Sequence, residues 1–180
     1  MFEGIQRAFP SKLARALRPR VVFLPDRLWL NCRKARYGSF NWLNFIFLGP
    51  GLNDAPEFVR PWVLGHEYGH VVHGHGLLIL VCLLLLVGSL FSETPLPFVM
   101  AGLAAFIVFS PLGENQADDV AVKVCGSQEA ALKGSLWMAE MNGTMGQSVR
   151  QKRLCRLGWD GKSTWRDVGA DRVAQVESAD

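Results

Sequence analysis

The sequence predicts an α+β domain that is mainly helical, with a small N-terminal sheet and an apolar helical hairpin inserted between two of the helices. Three observations predict this fold. Between Val21 and Gly51, aromatic and β-branched clusters alternate with turns that contain Pro and Gly, which is typical of short strands. Two long uncharged apolar runs follow, and helix-start signals lie on both sides of them. A length of 180 residues bounds the chain to one domain, residues 1–180.

The composition excludes several classes of protein. Nineteen Lys and Arg against sixteen Asp and Glu leave a net charge of +3, which is too balanced for a dedicated nucleic-acid binder. An apolar content of 49% excludes a disordered chain. The four cysteines form no CxxC pair, so we expect reduced thiols and neither a disulfide scaffold nor a cysteine zinc site.

The two ends of the chain are basic. Residues 1–20 place apolar side chains at helical spacing among arginines and a lysine, which predicts a basic amphipathic segment. Such a segment either lies on an anionic membrane surface or packs on the domain with a solvated basic face. Residues 143–180 form a polar, basic C-terminal region, for which a solvated surface is the simplest interpretation.

The two uncharged apolar runs within residues 76–112 predict a helical hairpin that enters a membrane. Its arms are Gly76–Phe91 and Phe98–Leu112, joined by a turn at Ser92–Pro97. Sixteen helical residues reach about 24 Å, somewhat short of a bilayer core of roughly 30 Å, so length alone leaves a buried soluble hairpin open. The absence of Lys and Arg between Pro61 and Val122 favours the membrane. All basic residues then lie on one side, which the positive-inside tendency makes the cytoplasm.

A pentapeptide of the form HExxH carries the predicted chemistry. His66, Glu67 and His70 belong to HEYGH, on a helix that Pro61 can open. Four residues advance a helix by about 400° and 6 Å, so both imidazoles can bind one ion, and zinc is its natural identity. Glu67 is turned away from direct ligation and can act as general base toward a metal-bound water, whose pKa zinc lowers to about 7.

A catalytic zinc site needs a third protein ligand. The extended HExxHxxGxxH pattern fails, because its third ligand and its glycine would fall at Gly76 and His73. After the hairpin, Glu114 and Asp118 share a helix face, so one carboxylate can bind the ion while the other orients a histidine ring. Asp118 or Asp119 could replace Glu114 as the ligand if the helix began later.

These elements, in this order, resemble the membrane zinc metallopeptidases of the HtpX and CAAX prenyl protease type. The resemblance rests on HEYGH at 66–70, the two apolar segments, SPLGENQAD at 110–118, and Cys125-Gly126 before EAAL at 129–132. It covers about half of the chain, residues 44–137. It implies a minimal zincin-like (gluzincin) domain with the hairpin between its two zinc-binding helices.

The resemblance also implies roles for individual residues. His66, His70 and Glu114 would be the zinc ligands, Glu67 the general base, and Asp118 the partner of a ligand histidine. A strand before the active helix, expected at residues 44–48, would pair with extended substrate backbone.

The chain also departs from that family. The apolar spans usual before the motif are missing. The donor that stabilises the oxyanion stays open among Arg150, Arg153, Arg156 and Tyr68. His73 could line the cleft, but an interfacial position is the simpler interpretation for it and for His75.

The leading hypothesis is a zinc-dependent endopeptidase held in the membrane by its hairpin, with the catalytic site facing the cytoplasm. We expect Zn²⁺ as its cofactor, protein or peptide substrates that include membrane proteins, contact with membrane lipids, and no nucleic-acid partner. The alternative is a proteolytically inactive membrane adaptor or scaffold that keeps a structural metal.

Overall fold

A computed structural model describes residues 19–25, 37–42 and 44–169 of the chain. The described part is mainly helical with one small sheet, as the sequence predicts. Most of the predicted basic amphipathic segment, residues 1–18, lies outside the described residues, as do residues 170–180 of the basic C-terminal region.

The sheet has three short strands: β1 (Arg20–Phe23), β2 (Ser39–Trp42) and β3 (Phe45–Leu48). β3 lies in the centre, parallel to β1 and antiparallel to β2. The prediction that residues 44–48 pair with substrate backbone is therefore wrong, because both edges of β3 already bond to neighbouring strands. Among the described strands, β1 and β2 each have a partner on one side only.

A short 3-10 helix and five α-helices make up the rest of the described chain. They are the 3-10 helix Pro50–Asn53, α1 (Val59–Val72), α2 (His75–Ser89), α3 (Pro95–Cys125), α4 (Gln128–Met141) and α5 (Ser148–Arg156). The predicted break at Gly126-Ser127 is confirmed, since Gly126 has a φ of 79° and the Ser127 side chain accepts a hydrogen bond from the Ala130 amide.

The predicted apolar hairpin consists of α2 and the first half of α3. The second arm does not end at Leu112, because α3 continues as one helix through Pro111 and Glu114 to Cys125. Within the part of the chain that the structure describes, no single helix is long and apolar enough to cross a membrane. Taken together, α1 and α2 reach the required length and apolar composition, but the two helices are bent by 53° relative to each other. The exposed large apolar side chains along the arms are Leu77, Ile79, Val81, Leu83, Leu84, Val87, Leu96, Phe98, Met100, Leu103 and Ile107.

Small residues let α1 and α3 cross at very short range. A Cβ atom on Gly69 would lie 2.6 Å from the Ala117 Cα, and one on Gly65 would lie 2.9 Å from the Ala121 Cα. On another face of α1, a Cβ on Gly134 of α4 would lie 2.7 Å from the Trp62 Cβ. Helix α1, which carries HEYGH, is therefore held between α3 and α4, with its backbone almost in contact with that of α3.

Helix α5 is anchored by a separate hydrophobic cluster. Leu154 and Leu157 are buried against Leu132, Leu136 and Ala139 of α4. This packing fixes the face of α5 that carries the arginines of the site described below.

Candidate metal centre and cleft

Three of the predicted site residues come together at the crossing of α1 and α3. The Nε2 atoms of His66 and His70 are 3.2 Å apart. Glu114 places one carboxylate oxygen 3.5 Å from the His66 Nε2 and the other 3.4 Å from the His70 Nε2. These three residues form a group that could hold a metal ion. Atoms bound at about 2.0–2.1 Å to a tetrahedral ion lie about 3.3–3.4 Å apart, so the observed spacings fit one shared ion.

Asp118 orients the first histidine. Its Oδ1 atom lies 3.0 Å from the His66 Nδ1 and the residue is 1% exposed. Burial alone would lower the pKa of His66, but hydrogen bonds with Asp118 and Glu114 outweigh burial and raise the pKa to about 9. The carboxylates that favour a proton on this ring would equally favour a cation between the three ligand atoms.

Arg153 of α5 joins the two carboxylates. Its Nε and Nη2 atoms donate to the two Asp118 oxygens at 2.9 and 2.7 Å, and its Nη1 donates to Glu114. Burial alone would raise the pKa of Asp118, but hydrogen bonds with His66 and Arg153 lower it to about 2. Burial alone would also raise the pKa of Glu114, but the two histidines and Arg153 hold that pKa well below its ordinary value. Both carboxylates are therefore ionised at neutral pH.

The second histidine is oriented by a residue that the sequence analysis treated as interfacial. The His70 Nδ1 lies 2.7 Å from the His75 Nδ1, and the His75 Nε2 lies 3.1 Å from the Gln116 Oε1. Because Gln116 offers an acceptor, His75 is protonated on Nε2 and accepts through Nδ1 from the His70 Nδ1–H. The His70 Nε2 then presents a lone pair toward Glu114.

A break in the helix brings His75 back to the site. Gly74, with a φ of 69°, separates α1 from α2 and turns the chain so that the His75 ring returns to His70. A Cβ on Gly113 would lie 3.1 Å from that ring, so α3 packs closely on its other side. The sequence offers one signal for this contact. His75 lies five residues after the second histidine and directly follows a glycine. His73 is exposed and does not line the cleft.

The predicted base lies beside the metal group, in a cleft of about 410 Å³. Glu67 is 5% exposed and accepts a hydrogen bond of 2.7 Å from the Ser39 Oγ of β2, a partner that the sequence analysis missed. The cleft is lined by Gly38, Ser39, Phe40, Asn41, Trp62, His66, Glu67, His70, His75, Ile79, Glu114, Met138, Asn142, Arg150 and Arg153.

The four predicted oxyanion donors have different environments. Tyr68 is 1% exposed and belongs to the hydrophobic core. Arg156 donates to Asp119 and to the Asn115 carbonyl, outside the cleft. Arg153 is engaged by the carboxylates, and Arg150 lines the cleft. Asp119, the alternative ligand, is 58% exposed in its side chain and does not belong to the metal group.

Comparison with protein-family models, with curated protein sequences and with solved structures found no match to this chain. What the protein does must therefore follow from the chemistry of its site.

Proposed function

We propose that the chain is a zinc-dependent endopeptidase that hydrolyses peptide bonds at the crossing of α1 and α3. The observation that carries this proposal is the convergence of two imidazole nitrogens and one carboxylate at 3.2 to 3.5 Å from one another. Two histidines and one glutamate are a ligand set typical of catalytic zinc, which keeps a fourth position open for water or substrate. Glu67 lies next to this group and is not part of it.

The residues of the chain divide the work of hydrolysis. When bound, zinc would polarise the substrate carbonyl and acidify the attacking water. Glu67 takes the proton from that water and passes it to the leaving amine, while the Ser39 hydroxyl holds one oxygen of its carboxylate in place. Asp118 and His75 hold the two histidine rings, so that the ligand atoms need little rearrangement during the reaction.

A substrate backbone would be positioned by β2 rather than by β3. Ser39, Phe40 and Asn41 of β2 line the cleft, and β2 is an edge strand of the described sheet. An extended peptide that adds to this edge as a fourth strand would run past Glu67. The resemblance implies that substrate adds as a strand at residues 44–48. We keep strand addition and assign it to β2 instead.

The hairpin would attach the enzyme to a membrane. Its arms expose many large apolar side chains and carry no Lys or Arg. One arm leads from His75 and the other leads to Glu114, so the site would lie at the lipid surface, on the cytoplasmic side by the positive-inside tendency. Membrane proteins and membrane-proximal segments are the substrates that such a position favours.

The experiment compares the native chain with Glu67→Gln for zinc content and for cleavage of casein and peptides. Because Glu67 is outside the ligand group, the variant should bind zinc as the native chain does and lose cleavage by roughly 10²-fold or more. Glu57→Gln, an exposed carboxylate before α1, is the matched control and should keep both. A native chain that holds zinc and cleaves nothing would instead support the adaptor with a structural metal.

A further inference from the structure

Buried polar atoms without a hydrogen-bond partner are concentrated at the cleft. Among the described residues there are five such atoms, and four belong to cleft-lining side chains. The four are Asn41 Nδ2, Trp62 Nε1, Asn142 Oδ1 and Arg150 Nη1. Folded proteins satisfy nearly all of their buried polar groups, so a cluster of exceptions in one cleft indicates groups that a ligand completes.

Arg150 is the charged member of this cluster. Its neighbour Arg153 already donates to Asp118 and Glu114, and Arg150 pairs with no carboxylate among the described residues. Burial and the charge of Arg153 lower the pKa of Arg150, while the charges of Asp118 and Glu114 oppose that effect. A partly buried cation whose Nη1 lacks a partner is stabilised best by an anion that arrives with the substrate.

The charge balance of the site supports the same conclusion. Three carboxylates, those of Glu67, Glu114 and Asp118, face two guanidinium groups, those of Arg150 and Arg153. A divalent ion at the ligand group would leave one positive charge uncompensated, and Arg150 is the group whose Nη1 lacks a partner. A neutral substrate would leave that charge buried and unbalanced.

We propose that Arg150, assisted by the side-chain amides of Asn41 and Asn142, forms a subsite that binds a carboxylate of the substrate close to the scissile bond. The inference rests on the proposed function and adds a substrate preference to it. The guanidinium and one amide donate to the carboxylate oxygens, and the carbonyl of the other amide accepts from substrate backbone. The carboxylate belongs either to an acidic side chain or to the C-terminus of the peptide.

The test uses peptide hydroxamates, which bind a catalytic zinc without being cleaved. Three matched probes differ in one group each: Glu with an amidated C-terminus, Gln with an amidated C-terminus, and Gln with a free C-terminus. Their dissociation constants are measured on the zinc-loaded full chain. We expect one of the two carboxylate probes to bind at least about ten-fold more tightly than the neutral probe, which identifies the source of the carboxylate.

Substitutions then assign that preference to Arg150. Arg150→Gln should bring the three probes to within about two-fold of one another, while affinity for the neutral probe is retained. Arg150→Lys should keep part of the preference, since it keeps the charge and loses the planar fork. Arg156→Gln is the matched control, because it removes a charge from the same helix outside the cleft and should leave the preference unchanged.

Three results would overturn the subsite: no preference in the native chain, a preference that survives in Arg150→Gln, or an equal loss for all three probes in that variant. The last result would assign Arg150 to the oxyanion instead. If Arg150→Gln fails to fold, Asn142→Asp replaces it and should weaken the carboxylate probe selectively. A chain that binds neither zinc nor any hydroxamate refutes the proposed function itself, and the subsite with it.

Discussion

Gly69 controls the distance between the two histidines and Glu114, so replacing it tests how the fold places the metal group. In Gly69→Ala the new Cβ would lie 2.6 Å from the Ala117 Cα, about 0.8 Å inside the 3.4 Å at which ordinary contact begins. The obstacle is backbone, which cannot rotate away. Helix α3 must therefore move away from α1, and Ala117 lies between Glu114 and Asp118 on that helix.

The magnitude follows from the tolerance of a metal site. Ligand distances hold to about 0.2 Å in a well-formed site, so a helix shift of about 0.8 Å would detach Glu114 from the position that both rings share. We expect zinc affinity to fall by roughly 10²-fold or more. Overpacking should cost about 1–3 kcal/mol of stability, offset by up to about 1 kcal/mol because alanine favours a helix over glycine.

Zinc affinity is measured by competition with a chromophoric chelator, and stability by thermal unfolding of the zinc-free protein. Gly88→Ala is the control, because Gly88 is also helical and a Cβ there would meet nothing within 4 Å. It should bind zinc as the native chain does and be equally stable or slightly more stable. If Gly69→Ala keeps its zinc affinity within about two-fold, close packing of α1 on α3 does not position Glu114.

Further predictions concern two residues of the site and two cysteines. His75→Phe keeps the ring but loses the acceptor that orients a ligand histidine, and should weaken zinc binding about 10- to 100-fold in the same competition assay. Asp118→Ala removes one of the two carboxylates that pair with the buried Arg153 guanidinium, and should lower the free energy of unfolding in denaturant by about 3–5 kcal/mol. Because the folded pKa of Asp118 is about 2, below its ordinary 3.8, the native advantage over this variant should be complete above about pH 4 and decline toward pH 2. Burial raises the pKa of Cys125 to about 12, so iodoacetamide at pH 8 should alkylate the exposed Cys155 well before Cys125, as followed by peptide mass spectrometry.

Local spacing accounts for what the sequence predicted well. HEYGH places two imidazoles on one helix face whatever the rest of the chain does, and Glu114 with Asp118 does the same for two carboxylates. The break at Gly126-Ser127 is likewise visible in the sequence, because glycine ends a helix and serine caps the next. These features depend on residues three or four positions apart.

Long-range arrangement accounts for what the sequence did not predict. Nothing in the apolar run at residues 45–48 indicates whether that strand lies in the centre or at an edge, since this depends on where β1 and β2 pair. Arg153 reaches Asp118 only because Leu154 packs α5 onto α4, so three equally basic arginines could not be ranked beforehand. The His75 contact needs the turn at Gly74, whose direction the residue pattern does not specify.

The position of the metal group at the base of the hairpin couples the two parts of the protein. Helix α2 begins at His75, which touches one ligand histidine, and α3 runs without interruption from the hairpin turn to Glu114. Because α3 is a single helix through Pro111, a tilt of its apolar half would shift the third ligand relative to the two rings. The same close packing that Gly69 permits resists such a tilt, because α1 and α3 touch through their backbones. The geometry of the metal group therefore depends on the hairpin as well as on the helices that carry the ligands.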